Sequence, residues 1–237
     1  MHLHTPKQVN DTMLIHIEQL LTAEEAKDCL ELLTQAEWSD GQSTAGGLAR
    51  QVKHNLQLDD QLTQAVAVRQ LIEQRLQQHP LFVSAALPHR IYPPKFNCYQ
   101  NGGHYGPHVD GSVMATPQGP LRTDVSATLF FTAPESYDGG ELMIETQYGA
   151  QSVKLDAGDM IVYPSNSLHQ VTPVTRGHRI CSFLWVQSMV RDSAQRELLF
   201  DLDQSIQTLT QERGADDDEV RRLSHIYHNL LRQWMEV

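Results

Sequence analysis

Three residues have the types and spacing to hold one metal ion: His108 and Asp110, two apart in His108-Val109-Asp110, and His169 far downstream. Two imidazoles and one carboxylate can occupy one face of an Fe(II) ion and leave the opposite positions open for a co-substrate and oxygen. Arg179, ten residues past the second histidine, is a candidate clamp for the far carboxylate of that co-substrate. By itself the H-x-D pattern is weak. With 12 histidines in 237 residues, roughly one such match arises by chance. Taken singly, each of these histidines reads as a structural or surface residue, so the pattern gains weight only from the elements around it.

From Ile91 to Gln187 short β-prone runs alternate with Gly, Pro, Asn and Asp turns, the texture of an all-β sandwich or barrel. The predicted strands are Lys95–Gln100, Ser126–Thr132, Glu141–Glu145, Gln151–Leu155, Met160–Tyr163, Gln170–Val174 and Arg179–Gln187. Asp138-Gly139-Gly140 and Asp156-Ala157-Gly158-Asp159 read as hairpin turns between neighbours in that series. On a strand, residues two apart face the same side, so extended backbone at 108–110 lets His108 and Asp110 reach one ion. His169, at or just before a strand, closes the triad in a barrel mouth. Arg179 opens the last strong strand on one face with Cys181, Phe183 and Trp185, where burial is costly without a carboxylate partner.

Helical patterns flank this β region. Leu14–Ile17 reads as a strand, and Thr22 with Glu25 forms a capping box for a helix to about Ala36, with Ala26, Cys29, Leu30 and Leu33 as its stripe. The Trp38–Leu48 segment reads as a loop. A second helix spans Asp59 to Gln78 with Leu62, Val66, Ile72 and Leu76 apolar, and Pro80 ends it. After Val190, one helix carries Leu198, Leu199, Leu202, Ile206 and Leu209. Gly214 breaks it, and Asp216–Asp218 open a last amphipathic helix through Trp234. This pair packs on the β core or on a second copy, which makes the C-terminal helices the candidate surface for a homo-oligomer. The organisation is therefore mainly β with flanking helices (α+β): 1–90 as N-terminal support, 91–189 as the β core, and 190–237 as a C-terminal helical appendage.

Bulk properties narrow the function classes. A formal charge of −11 argues against nonspecific nucleic-acid binding. No stretch is apolar for a membrane-spanning length, and the polar Met1–Thr12 segment is unlike a signal peptide. Cys29, Cys98 and Cys181 form no paired spacing, so buried reduced thiols and a cytoplasmic location are expected. His104 and His178 lack ligand spacing and read as turn residues. His225 and His228, three apart on a helix, read as a solvated face.

The ordered motifs carry a family resemblance. The run Asn97-Cys98-Tyr99 through Gly102-Gly103 to His108-Val109-Asp110 is followed by Asp138-Gly139-Gly140-Glu141-Leu142, Ala157-Gly158-Asp159 and Ser167-Leu168-His169-Gln170-Val171. In that order they resemble the Fe(II)/2-oxoglutarate-dependent dioxygenases, prolyl-hydroxylase branch. The run Arg122-Thr123-Asp124-Val125-Ser126 and the C-terminal helices are similar to the bacterial PKHD-type hydroxylases, so the resemblance spans nearly the whole chain. It implies a double-stranded β-helix (jelly-roll) core and iron ligation by His108, Asp110 and His169. Arg179 would hold the distal carboxylate of 2-oxoglutarate, and Tyr99 would hydrogen-bond the same molecule. One departure is Phe130-Phe131, where some prolyl hydroxylases place a tyrosine; Thr128 is the candidate substitute.

The resemblance further implies Fe(II), 2-oxoglutarate and O2, with L-ascorbate as a candidate reductant. Oxidative decarboxylation to succinate and CO2 would be coupled to hydroxylation of a C–H bond in a peptide, amino-acid side chain or small molecule. Trp38–Leu48 and Val113–Leu121 are candidate lid loops. Two other readings keep a similar barrel: a non-catalytic module that senses iron or 2-oxoglutarate, and a cupin-like metalloprotein. Cupins usually supply more histidine ligands, which fits this triad poorly.

Overall fold

The computed structural model describes residues 14–41 and 52–236. Along the chain, β1 (Ile15–Ile17), α1 (Ala23–Thr34), β2 (Trp38–Asp40), β3 (Lys53–His54) and β4 (Leu56–Leu58) come first. Two helices, α2 (Thr63–Gln78) and α3 (Pro80–Ala86), lead to β5 (Pro88–Ile91), β6 (Lys95–Gln100) and β7 (His104–His108). The short pair β8 (Val113–Thr116) and β9 (Gly119–Arg122) precedes β10 (Val125–Phe130). Then come β11 (Leu142–Thr146), β12 (Gly149–Val153), β13 (Met160–Pro164), β14 (His169–Val171) and β15 (His178–Ser188), and the helices α4 (Ser193–Arg213) and α5 (Asp218–Trp234) close the chain.

The strands form two main sheets and the separate two-stranded pair β8–β9. The larger runs β1-β13-β10-β15-β6-β4-β2, with β5 also on β15, and the smaller runs β12-β11-β14-β7-β3. The larger sheet's outer face packs on α1, α2 and α3 through Leu33, Ile72, Phe82, Leu129 and Leu184. Its inner face meets the smaller sheet through Tyr99, Phe130, Ile144, Ile161 and Tyr163. One sheet thus carries helices on one side and the cavity on the other, which explains why β10 is buried along its whole length. The jelly-roll architecture implied by the motifs is present, with helices on one face and at the C-terminus.

Several local expectations are corrected. Trp38–Asp40 is a strand paired with β4 rather than a loop, while residues 42–48 of that predicted loop lie outside the described residues. Val113–Leu121 belongs to the β8–β9 hairpin. Pro80 ends α2 but also opens α3 as its first residue, where a missing N–H costs nothing. The buried stripe of α2 is Ala65, Val68, Ile72 and Leu76, so Val66 falls off it, while Leu62, the N-cap before the helix, packs partly buried against the same core. His104 and His178 each begin a strand rather than sit in a turn.

The predicted capping box at Thr22 and Glu25 is formed, and Gly214 ends α4 at a φ of 90°. Asp217, N-cap of α5, accepts from the backbone N–H groups of Glu219 and Val220. The last helix lies on this chain's own core: Tyr227, Leu230, Leu231 and Trp234 pack around Leu87, Val190 and Leu199. Among the described residues, no helix is long and apolar enough to cross a membrane.

Candidate active site

Strand pairing in the smaller sheet brings the two histidines together. β14 runs antiparallel to β7 with His169 directly opposite His108, and the ring centroids lie 4.2 Å apart. His108 is the last residue of its strand, so Asp110 lies beyond β7 and not on the extended run that the H-x-D spacing predicted. The register explains this. His108 faces the first residue of β14, so the ladder has no partner left for Val109 and Asp110. Asp110 nevertheless meets both rings: its Oδ1 is 4.0 Å from His108 Nε2 and 3.9 Å from His169 Nε2. Among the described residues these three are the one group of histidine, cysteine and carboxylate ligands within metal-binding distance, their donor atoms lying within 4.8 Å of one another.

Each of the three candidate ligands is oriented from behind. His108 Nδ1 lies 2.8 Å from the Gly106 carbonyl oxygen, and His169 Nδ1 lies 3.0 Å from that of Ser167. A carbonyl only accepts, so both Nδ1 atoms carry the proton and both Nε2 lone pairs are directed at the cluster. Burial, and next the neighbouring His169, push the His108 imidazole down to about 4. It is therefore neutral near pH 7, the form a metal takes. Tyr105 stacks on its face at 3.6 Å between centroids, while Tyr163 meets His169 edge-on at 5.2 Å. Asp110 Oδ2 accepts from Ser126 Oγ at 2.6 Å.

Arg179 occupies the same cavity, from a different sheet. It is the second residue of β15, paired with Tyr99 on β6, and is only 1% exposed. Nη1 donates to Cys181 Sγ at 3.0 Å, but among the described residues buried Nε and Nη2 make no hydrogen bond of ordinary geometry, although the Tyr137 hydroxyl, also unpaired, is near enough to interact with the guanidinium. The guanidinium lies 5.3 Å above the Tyr99 ring and 4.9 Å above that of Phe130. A buried cation with unused donors costs several kcal/mol, on the order of 3–5 when its partner is missing. An incoming carboxylate would supply that partner bidentately.

Asp138-Gly139-Gly140 helps to shape this end. It joins β10 to β11 across the two sheets, so it is a crossover and not the predicted hairpin; Asp156–Asp159 likewise links β12 and β13 in opposite sheets. Gly140 has a φ of 70°. A Cβ there would lie 3.1 Å from Arg179 Cδ and 2.8 Å from Val174 Cγ2, so glycine is what leaves room for the arginine's stem.

One cavity of about 530 Å³ includes His108, Asp110, His169, Arg179 and Tyr99 in its lining. Tyr99 is buried, and its hydroxyl accepts from Asn97 Nδ2 at 3.2 Å. Thr128, the candidate substitute for a missing tyrosine, is also in the wall, as is Tyr163. Tyr163 was missed in the sequence, although it shares inward alternation on β13 with Ile161. Lys53, Tyr92, Lys95 and Trp185 also line the cavity. Burial, then the nearby Lys95, lower the Lys53 ammonium to about 8. His225 and His228 lie on α5, outside this cavity. The residues fit the implied groups: two imidazoles and a carboxylate form a facial donor set for Fe(II), and the unsatisfied guanidinium suits a dicarboxylate.

Residues 94–187 match the 2OG-Fe(II) oxygenase superfamily, and residues 193–236 match the PKHD-type hydroxylase C-terminal domain. A PKHD-type hydroxylase of Teredinibacter turnerae is 59% identical over 94% of this chain and 99% of its own length. The PKHD-type hydroxylase PiuC of Pseudomonas aeruginosa is 52% identical over 95% of this chain and all of its own. Among solved structures, a Pseudomonas putida prolyl-4-hydroxylase superposes with a TM-score of 0.52 at 18% identity, covering 75% of this chain and 93% of that one. The 2-oxoglutarate complex of a viral collagen prolyl hydroxylase from Paramecium Bursaria Chlorella virus-1 gives 0.53 at 18% identity, covering 74% and 96%. At those identities the structural likeness speaks for the fold.

Proposed function

This chain belongs to the PKHD-type hydroxylases of the 2OG-Fe(II) oxygenase superfamily, and from that premise we propose which of its residues carry the reaction. The enzyme is an Fe(II)- and 2-oxoglutarate-dependent dioxygenase that uses O2. Such an enzyme hydroxylates a C–H bond and releases succinate and CO2, which sets aside the sensor and cupin readings. His108, Asp110 and His169 hold the iron. Arg179 takes the distal carboxylate of 2-oxoglutarate on Nε and Nη2, and Tyr99 lends a hydroxyl beside it. When bound, the metal supplies the oxygen activation that side chains cannot.

The chain's own part is positioning and exclusion of water. The carbonyls of Gly106 and Ser167 keep both imidazoles in the ligating tautomer. Tyr99 and Phe130 wall the guanidinium from solvent, which strengthens its pairing with a carboxylate. Tyr92, Lys95 and Trp185 are half-buried in the same lining and would contact a substrate that presents an amino-acid side chain, within a peptide or free, or a small molecule. L-ascorbate is the proposed reductant.

The observation that carries the assignment is the fully buried guanidinium with two unused donors in the cavity of the His-Asp-His cluster. Its test is uncoupled turnover: succinate released from 2-oxoglutarate with Fe(II) and O2, in wild type and Arg179→Ala. A raised KM for 2-oxoglutarate in the variant supports the assignment. An unchanged KM puts the clamp elsewhere.

A further inference from the structure

The run Arg122-Thr123-Asp124-Val125-Ser126 contributes no proposed ligand, yet its polar groups converge on the segment that carries Asp110. Ser126, 2% exposed, donates from Oγ to Asp110 Oδ2 at 2.6 Å. Ser126 Oγ and Ser165 Oγ are hydrogen-bonded at 2.8 Å. One hydroxyl carries one proton, so with Ser126's directed to the carboxylate, Ser165 donates the second bond. Thr123 Oγ1 donates to the carbonyl of Gly111 at 2.6 Å, tying down the residue after Asp110. The backbone oxygen of Asp124 accepts from Ser165 N at 3.2 Å and from Arg196 Nη2 at 3.3 Å. Arg196 lies in α4, is 1% exposed, and also donates to the carbonyls of Val190 and Arg191, both at 2.8 Å.

We propose that Ser126 is a positioning residue for Asp110, backed by Ser165 and, through the Asp124 carbonyl, by Arg196 of the C-terminal helices. A carboxylate with both oxygens free can offer either or both to a metal, and two-oxygen binding fills a position that an incoming chelate needs. With Oδ2 held by Ser126, only Oδ1 is offered, and Oδ1 is the oxygen facing both Nε2 atoms. Partners of this kind, behind a ligand, typically change metal affinity 10–100-fold. The inference rests on His108, Asp110 and His169 being the metal ligands. It gives the helical appendage a role at the active site although none of its residues is in the cavity lining.

The test is Mn(II) affinity of the full-length protein, read by electron paramagnetic resonance, for wild type, Ser126→Ala, Ser126→Thr and Ser165→Ala, with each metal-free thermal midpoint as control. Ser126→Ala should bind Mn(II) roughly tenfold more weakly and change its spectrum. Ser126→Thr, which restores the hydroxyl, should recover most of the affinity, and Ser165→Ala should show a smaller loss of the same kind. Wild-type affinity in Ser126→Ala overturns the proposal, as does a Ser126→Thr variant that folds normally but binds as weakly as the alanine. If Ser126→Ala does not fold, undiminished affinity in Ser165→Ala is the overturning result. A wild-type protein that binds no Mn(II) removes the metal site itself, an outcome distinct from intact wild-type binding with indifferent variants.

Discussion

The two ends of the active-site cavity are built on opposite principles. At the end proposed to hold the metal, both Nδ1 atoms and Asp110 Oδ2 already have hydrogen-bond partners. On the side facing the cluster, Asp110 Oδ1 lies 4.0 and 3.9 Å from the Nε2 atoms of His108 and His169, so the geometry is set before any metal arrives. At the other end Arg179 is fully buried between aromatic rings, with two donors unused. One end stores order and the other stores an uncompensated charge. Removing a residue should therefore mean different things at the two ends: loss of chemistry at the first, and a trade between folding stability and co-substrate binding at the second.

The largest effect should come from the metal end. His108→Ala or Asp110→Ala should reduce succinate formation to background while the thermal midpoint of the metal-free protein stays near wild type; retained turnover in either would remove that residue from the ligand set. Next, Arg179→Met should raise the KM for 2-oxoglutarate by about 100-fold, from the 2–5 kcal/mol typical of losing one partner in a buried charge pair. The same variant should leave the metal-free protein as stable as wild type or more so, because the orphaned charge is gone. A destabilised Arg179→Met would show that the guanidinium is already compensated, and the contrast between the two ends would fail.

A smaller effect is expected where the second end is merely crowded. Gly140→Ala puts a Cβ against Arg179 Cδ at a φ of 70°, and should raise the 2-oxoglutarate KM with less change in kcat. An unaltered KM would mean the arginine's stem can move. The smallest belongs to Tyr99→Phe. Loss of one neutral hydrogen bond, about 1 kcal/mol, corresponds to roughly a fivefold weaker 2-oxoglutarate affinity in a binding titration. No change would make Tyr99 a wall residue only.

Much of this division was legible in the sequence. Lys95–Gln100 was predicted with both boundaries correct, because Pro93-Pro94 and Asn101-Gly102 punctuate a β-prone run on either side. The candidate metal-binding residues His108, Asp110 and His169 were equally visible by type and order, and the structure brings them together. What escaped was information that resides in pairing. Which strands share a sheet depends on long-range register, so Asp138–Gly140 read as a hairpin although the chain crosses between sheets there. The departure of Asp110 from β7 follows from where β14 begins, which local spacing cannot encode. Ser126 was visible only as one residue of a motif, since its use depends on Asp110 lying 16 residues away in sequence and 2.6 Å away in space. The α2 stripe slipped because that helix is polar overall, and its small Ala65 marks the buried side less clearly than Val66 would.

The central claim is that both ends of one cavity act on a single molecule, metal at one carboxylate and Arg179 at the other. Anaerobic titration of 2-oxoglutarate into the Fe(II)-loaded protein tests it most directly, through the visible charge-transfer band of the keto-acid chelate. The band should appear and saturate in wild type. In Arg179→Met it should appear only at much higher 2-oxoglutarate, and in Asp110→Ala it should be lost. Metal-loaded wild type that shows no band, or Arg179→Met that saturates at the wild-type concentration, would contradict the account.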